Sequence, residues 1–215
     1  MGEVILVYGK SGAGKSRSVT TFGEDEIFLV NVIGKRMPTP KHFKYELKTD
    51  DINLIADKLS KMPTKVAVID DGGYIQTNAF MAGHGKGDQF QLYNNIADSM
   101  WNLFRFVKNN LPEDVFVYFM MHEDVDDYGN SKLRTIGKLL EQKVCLEGMV
   151  TITLYAMVKG GEHIFVTQSD GYDIAKSPEG MFPKEIPNDL KAVDMTIREY
   201  WGLPSLEETK GKEKK

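Results

Sequence analysis

Residues 9–16 read Gly-Lys-Ser-Gly-Ala-Gly-Lys-Ser, and they satisfy every position of the pattern G-x-x-x-x-G-K-[S/T]. The flanks fit as well. Val4–Tyr8 is a short, continuous apolar run that ends at Gly9 and reads as a buried strand. Lys15–Phe22 reads as a helix closed by Gly23. Glycines 9, 12 and 14 allow successive backbone N–H groups to turn inward around a polyphosphate. A helix starting near Lys15 would add its positive end. In this reading Gly9, Lys10, Ser11, Gly12, Ala13, Gly14, Lys15, Ser16 and Arg17 contact a nucleotide. Lys15 reaches the β and γ phosphates, and the Ser16 hydroxyl takes Mg2+.

Such a loop needs a second acidic partner for the metal. Val66–Asp70 supplies four apolar residues and then Asp70, the Walker B pattern, on a strand expected beside the one that leads into the loop. Asp71 follows, either as a base that polarises an attacking water or as a turn residue before Gly72-Gly73. His122 is expected at the end of a further strand, Asp114–Met121. Ligands of parallel α/β sheets lie at the carboxyl ends of strands, so His122 can sense a terminal phosphate or simply cap the strand.

Outward from these motifs, strands and helices alternate. Ile27–Val32 and Lys65–Asp70 read as strands, and Asp51–Lys61 and Gln89–Asn110 as helices, the first capped by Thr49 or Asp50. Gly72–Asp88 reads as a long loop, and Glu123–Arg134 as another. A helix is expected near Ile136–Val144. Met149–Val158 and His163–Gln168 flank Lys159-Gly160-Gly161-Glu162, a hairpin signal, and a helix capped by Asn188 follows over Asn188–Trp201. The sum is an α/β chain: a mostly parallel central sheet with flanking helices, then a C-terminal β-hairpin plus helix. Residues 1–205 form the domain and 206–215 a charged, flexible tail.

The chain has 215 residues, 41% hydrophobic and 27% charged, which excludes wholesale disorder. No apolar run reaches the ~18–20 residues of a membrane span, and MGEVILVYGK lacks the basic start of a signal peptide. A single cysteine, Cys145, excludes an internal disulfide and fits a cytoplasmic setting. The four histidines show no metal-ligand spacing. The formal net charge is −4, so any nucleic-acid surface has to be local. Two stretches qualify: Lys35, Arg36, Lys41, Lys44 and Lys48, and then Lys132, Arg134, Lys138 and Lys143. Solvated basic surface is the simpler reading of each.

GKSGAGKS, VAVIDD, a strand ending at His122-Glu123 and the hairpin finish together resemble a RecA-like P-loop NTPase core. More narrowly, NVIGKRMP (31–38), LRTIGKLL (133–140), AKSPEGMF (175–182) and IPNDLKAVD (186–194) resemble phage-encoded AAA/RecA-type ATP-binding proteins. The likeness covers residues 3–201. It implies an ATPase with ATP and Mg2+ as cofactors, acting in DNA recombination, annealing or replication in the infected cell's cytoplasm. It also implies homo-oligomers, single-stranded DNA and a single-strand binding protein as partners. The two loops would face DNA, with Tyr74 and Phe80 available to stack on bases. Lys176 would be a basic finger reaching a neighbouring subunit's phosphate. Where such cores carry a catalytic Glu near the second strand, this chain has Asn31. The base is therefore missing, or is Asp71 or Glu123, and slow turnover is expected. Two other readings stand beside this one: a P-loop small-molecule kinase, and a nucleotide-gated binding module with negligible turnover.

Overall fold

The structure is a computed structural model in which residues 1–208 are described. Its strands are β1 (Glu3–Gly9), β2 (Ile27–Asn31), β3 (Tyr45–Leu47), β4 (Val66–Asp70), β5 (Phe116–Val125), β6 (Ser131–Leu133), β7 (Ile152–Lys159), β8 (Glu162–Val166) and β9 (Glu185–Pro187). The helices are α1 (Ile52–Ser60), α2 (Gly73–Gly83), α3 (Gln89–Asn110) and α4 (Leu190–Trp201). The sheet runs β3-β2-β4-β5-β1-β7-β8-β9, with β6 paired to the end of β5. The six strands from β3 to β7 are parallel, and β8, β9 and β6 are antiparallel additions.

β1 explains why this sheet forms. All its residues from Val4 to Tyr8 are fully buried. Val4, Leu6 and Tyr8 enter one core with α1 and α3, while Ile5 and Val7 enter a second core under α4. A parallel strand buried on both faces must be apolar without alternation, as this one is. α4 covers the second core through Leu190, Val193 and Ile197. It also buries a polar network. Tyr118 Oη donates to Asp194 Oδ1 at 3.0 Å, and Arg198 Nε donates to Asp194 Oδ2 at 2.6 Å. The Arg198 guanidinium lies 4.4 Å from the Phe116 ring centre.

Several elements depart from the sequence expectation. Lys15–Phe22 is no α-helix: only Ser16–Val19 is helical, as one 3-10 turn. Ser18 Oγ donates back to Lys15 O at 2.6 Å, and the β-branched run Val19-Thr20-Thr21 disfavours continuation. The expected Gly72–Asp88 loop is mostly α2. Its apolar stripe is hidden because Gln76 faces inward, 1% exposed, where Oε1 accepts from Ile136 N at 2.8 Å. β5 runs on to Val125, so His122 does not end it, and the expected 123–134 loop is a β5–β6 hairpin. The expected helix near Ile136–Val144 shrinks to a π-turn at Leu140–Val144, followed by a 3-10 turn at Leu146–Met149. Asp51 and Asp189 cap α1 and α4, in place of Thr49 or Asp50 and of Asn188. The tail expected from residue 206 begins with Leu206, which is buried in the second core; residues 209–215 lie outside the described residues.

Removing Arg198 leaves Asp194 as an uncompensated buried charge. Arg198→Ala is expected to cost about 3–5 kcal/mol in urea-induced unfolding. Equal midpoints for variant and wild type would show that the network contributes nothing.

Candidate functional site

The 9–16 loop leaves β1 and crosses over its own strand end. Gly9 sits so close to β7 that a Cβ there would lie 2.2 Å from Ala156 O. At Gly14 (φ +98°) a Cβ would meet His163 Nδ1 at 2.7 Å. Both positions therefore require glycine. Lys15 is only 6% exposed, and its Nζ donates to Gly9 O at 2.8 Å and to Lys10 O at 2.9 Å. The ammonium thus sits against the carbonyls at the loop's entrance. Burial pushes its pKa down to about 8, with Asp71 and Asp70 pulling the other way.

β4 is not the neighbour of β1, contrary to expectation: β5 lies between them. The separation is bridged by side chains. Ser16 Oγ donates to Asp70 Oδ1 at 2.7 Å. Asp70 is fully buried, and its Oδ2 has no hydrogen-bond partner. Burial and the adjacent Asp71 hold its carboxyl above the usual range. Asp71 adopts the left-handed conformation (φ 58°), which a non-glycine residue holds at a cost of ~1–3 kcal/mol. That twist turns its carboxylate toward Lys35 Nζ, with which it pairs, and toward His122 Nε2 at 3.6 Å. Asp71 is a turn residue as well, since its carbonyl accepts from Tyr74 N at 2.9 Å.

His122 is inserted between the two acidic and basic halves of the site. It pairs in register with Gly9 on β1 and approaches Asp71 from the side of β5. Burial, and then Lys15, lower its pKa. Glu123 is buried, with Lys10 Nζ 3.7 Å from its Oε1. Asn31, which stands where a RecA-like core would carry its base, is fixed structurally: its Nδ2 donates to Lys35 O at 2.8 Å and to Glu46 Oε1 at 3.2 Å.

A cleft of about 320 Å³ opens beside the loop. Lys15, Arg17, Lys35 and Arg36 line it together with Asp71 and His122, so four cationic side chains face one space. A second cleft of about 350 Å³ shares Ser11 and His122 with it and adds Lys10, Tyr74, Glu123 and Arg134. A larger cleft, about 660 Å³, lies elsewhere, between Phe90, Tyr93, Gly137–Leu139 and Glu141–Lys143, and none of the site's acids line it. Among the described residues no three His, Cys, Asp or Glu side chains are grouped to hold a metal. The Ser16 hydroxyl and Asp70 carboxylate could still supply two oxygens to a hard cation that takes its other ligands from phosphate and water.

Some expected members are not brought together. Lys176 does not line the cleft; its backbone pairs with Thr153. Lys41 Nζ is taken up by Thr20 O and Phe22 O at 2.7 and 2.6 Å, and Lys132 pairs with Glu141. Neither stretch is thus a continuous free basic surface. Tyr74 sits edge-on to His122, ring centres 5.8 Å apart, and Phe80 stacks on His84 at 5.4 Å. Lys35 belongs to the site although the sequence motifs do not include it. The only signal for Lys35 was its place in NVIGKRMP between a strand end and a proline, where it was counted as surface charge.

Compared with protein-family models and with curated proteins, the chain matches none.

Lys15 is expected to titrate near pH 8, against 10.5 for an ordinary lysine. The charged form exists below that value, so affinity for a polyanion in the cleft should fall as pH rises through it. NMR of chain labelled with ¹³Cε-lysine reads the titration, and an ordinary lysine midpoint for Lys15 would remove the effect of burial.

Proposed function

We propose that the chain is a RecA-like P-loop ATPase that hydrolyses ATP with Mg2+. The observation that carries this reading is the Ser16–Asp70 contact, 2.7 Å, made across an intervening strand in front of a cleft lined by four cations. A glycine loop, a buried lysine, a hydroxyl and a strand-tip carboxylate are the parts that phosphoryl transfer from a nucleotide uses. Mg2+ would neutralise developing charge on the phosphates, held by Ser16 and Asp70. Lys15 would leave the Gly9 and Lys10 carbonyls for the β and γ phosphates. Asp71 is the candidate base for an attacking water. His122, in contact range of Asp71 and beside the loop, is the candidate that registers the terminal phosphate.

The resemblance to phage AAA/RecA-type proteins adds the biological part of the proposal: recombination, annealing or replication of DNA, with single-stranded DNA and further copies of the chain as partners. Lys176 acting across a subunit interface belongs to that part. Of the two expected DNA-facing loops, α2 takes up Gly73–Gly83 and the β5–β6 ladder takes up Glu123–Val125 and Ser131–Leu133, which leaves residues 84–88 and 126–130 for that role.

One observation favours a small-molecule kinase as a second reading. The cleft shared across Ser11 and His122 offers Lys10 and Arg134 for an anionic acceptor, and Glu123 beside the hydroxyl it would carry.

Calorimetry with ATP and Mg2+ tests the nucleotide site. Lys15→Ala is expected to weaken ATP binding by about 100-fold, the worth of a hydrogen-bonded charge pair, with its circular dichroism unchanged. Unaltered affinity would remove the assignment. Phosphate release with and without single-stranded DNA separates the remaining readings. Release stimulated by DNA supports the ATPase, whereas transfer to a small acceptor without release supports the kinase.

A further inference from the structure

Lys35 lies on the stretch between β2 and β3, and nothing in the motif reading assigns it to the site. Its ammonium pairs with Asp71 Oδ2 and lies 4.0 Å from Asp70 Oδ2, the oxygen with no hydrogen-bond partner. One positive charge therefore stands between two adjacent carboxylates that are both almost completely buried. The backbone that carries it is anchored on either side. Asn31 Nδ2 holds the Lys35 carbonyl, Met37 packs on the second core, and Lys41 is tied to Thr20 and Phe22. The Lys35 side chain itself is 40% exposed and lines the cationic cleft. The frame is fixed, and the four-carbon stem is the part free to swing.

We propose that Lys35 is a tethered counter-ion for the Asp70–Asp71 pair, exchanged for a divalent cation when the cation arrives with a polyphosphate. A divalent cation held by Ser16 and Asp70 would stand beside the Lys35 ammonium, which lies 4.0 Å from Asp70 Oδ2, and the two positive charges repel each other. A free divalent cation must bind against that repulsion, with no new anion for Lys35 to turn to. A cation bound to a polyphosphate brings new anionic oxygens into the same cleft, to which the released ammonium can turn. Lys35 thereby makes metal binding conditional on the phosphate ligand, and it becomes a positioning cation in the loaded site. The nucleotide half of this inference rests on the proposed ATPase reading; the metal half does not.

The test uses the full chain and Mn2+ as the probe, read by electron paramagnetic resonance without nucleotide. Lys35→Met is expected to bind Mn2+ at least ~10-fold more tightly than wild type, because one opposing charge within ~4 Å is gone. Lys35→Arg should stay as weak as wild type. Lys35→Met should also melt at a lower temperature than wild type in metal-free buffer and recover on adding Mn2+. Equal Mn2+ affinity in all three chains overturns the proposal. A second measurement needs no destabilised variant. In wild-type chain with ¹³Cε-labelled lysine, the Lys35 resonance, assigned by its absence in Lys35→Arg, should shift when Mg2+ and a non-hydrolysable ATP analogue bind together. An unmoved resonance with the analogue bound overturns the exchange. If the analogue does not bind at all, it is the ATPase reading that fails, and the Mn2+ comparison alone decides the role of Lys35.

Discussion

Two carboxylates cannot be buried next to each other at a strand end without positive or hydrogen-bonding partners, because each raises the cost of ionising the other. Asp70 and Asp71 are in that position, at 0% and 3% exposure. Much of the architecture around the 9–16 loop can be derived from this constraint. Ser16 comes from β1's loop, Lys35 from the stretch after β2, and His122 from β5, each bringing a polar or cationic group to the pair. Three separate chain segments are thus pinned to the tip of β4 by electrostatics. The apolar strands only need to deliver the tip to the right depth.

The strand order makes that convergence possible. With β5 between β1 and β4, the loop and the acids stand apart by a strand's width, and His122 fills the space between them. Covering both faces of the sheet, with α1 and α3 on one side and α4 on the other, excludes water from the strands but leaves their carboxyl ends open.

Much of this is legible in the sequence where a residue's role is local. GKSGAGKS and Val66–Asp70 announce their neighbourhood because backbone geometry and burial select those residue types directly. The hairpin at Gly160-Gly161 is readable for the same reason, and its register joins Lys159 to Glu162. What is not legible depends on partners far away in sequence. Gln76 looks like a loop residue until Ile136, 60 residues on, supplies the N–H that its buried amide accepts. Lys35 looks like surface charge until β4 brings two carboxylates to it. The extension of β5 through an acidic stretch is hidden because it is stabilised by β6 and not by alternating apolar residues; only Leu133 and the inward Glu123 and Ser131 are buried there.

That extension divides β5 into two mechanical regimes. Up to His122 it is clamped by ladders to parallel neighbours, and its amides are released only when the central sheet itself comes apart. From Glu123 to Val125 its ladder is a short antiparallel one to Ser131–Leu133, and the buried Glu123 side chain faces Lys10. Val117 and Phe119, by contrast, pair on both sides, with β1 and with β4. The point of support is the His122 backbone, whose carbonyl accepts from Arg134 N at 2.9 Å. The central ladders therefore end at the residue that touches the acidic pair, and the chain beyond it is tied back by other means: Leu133 enters the first core, and Ser131 N donates to Tyr172 O at 2.8 Å.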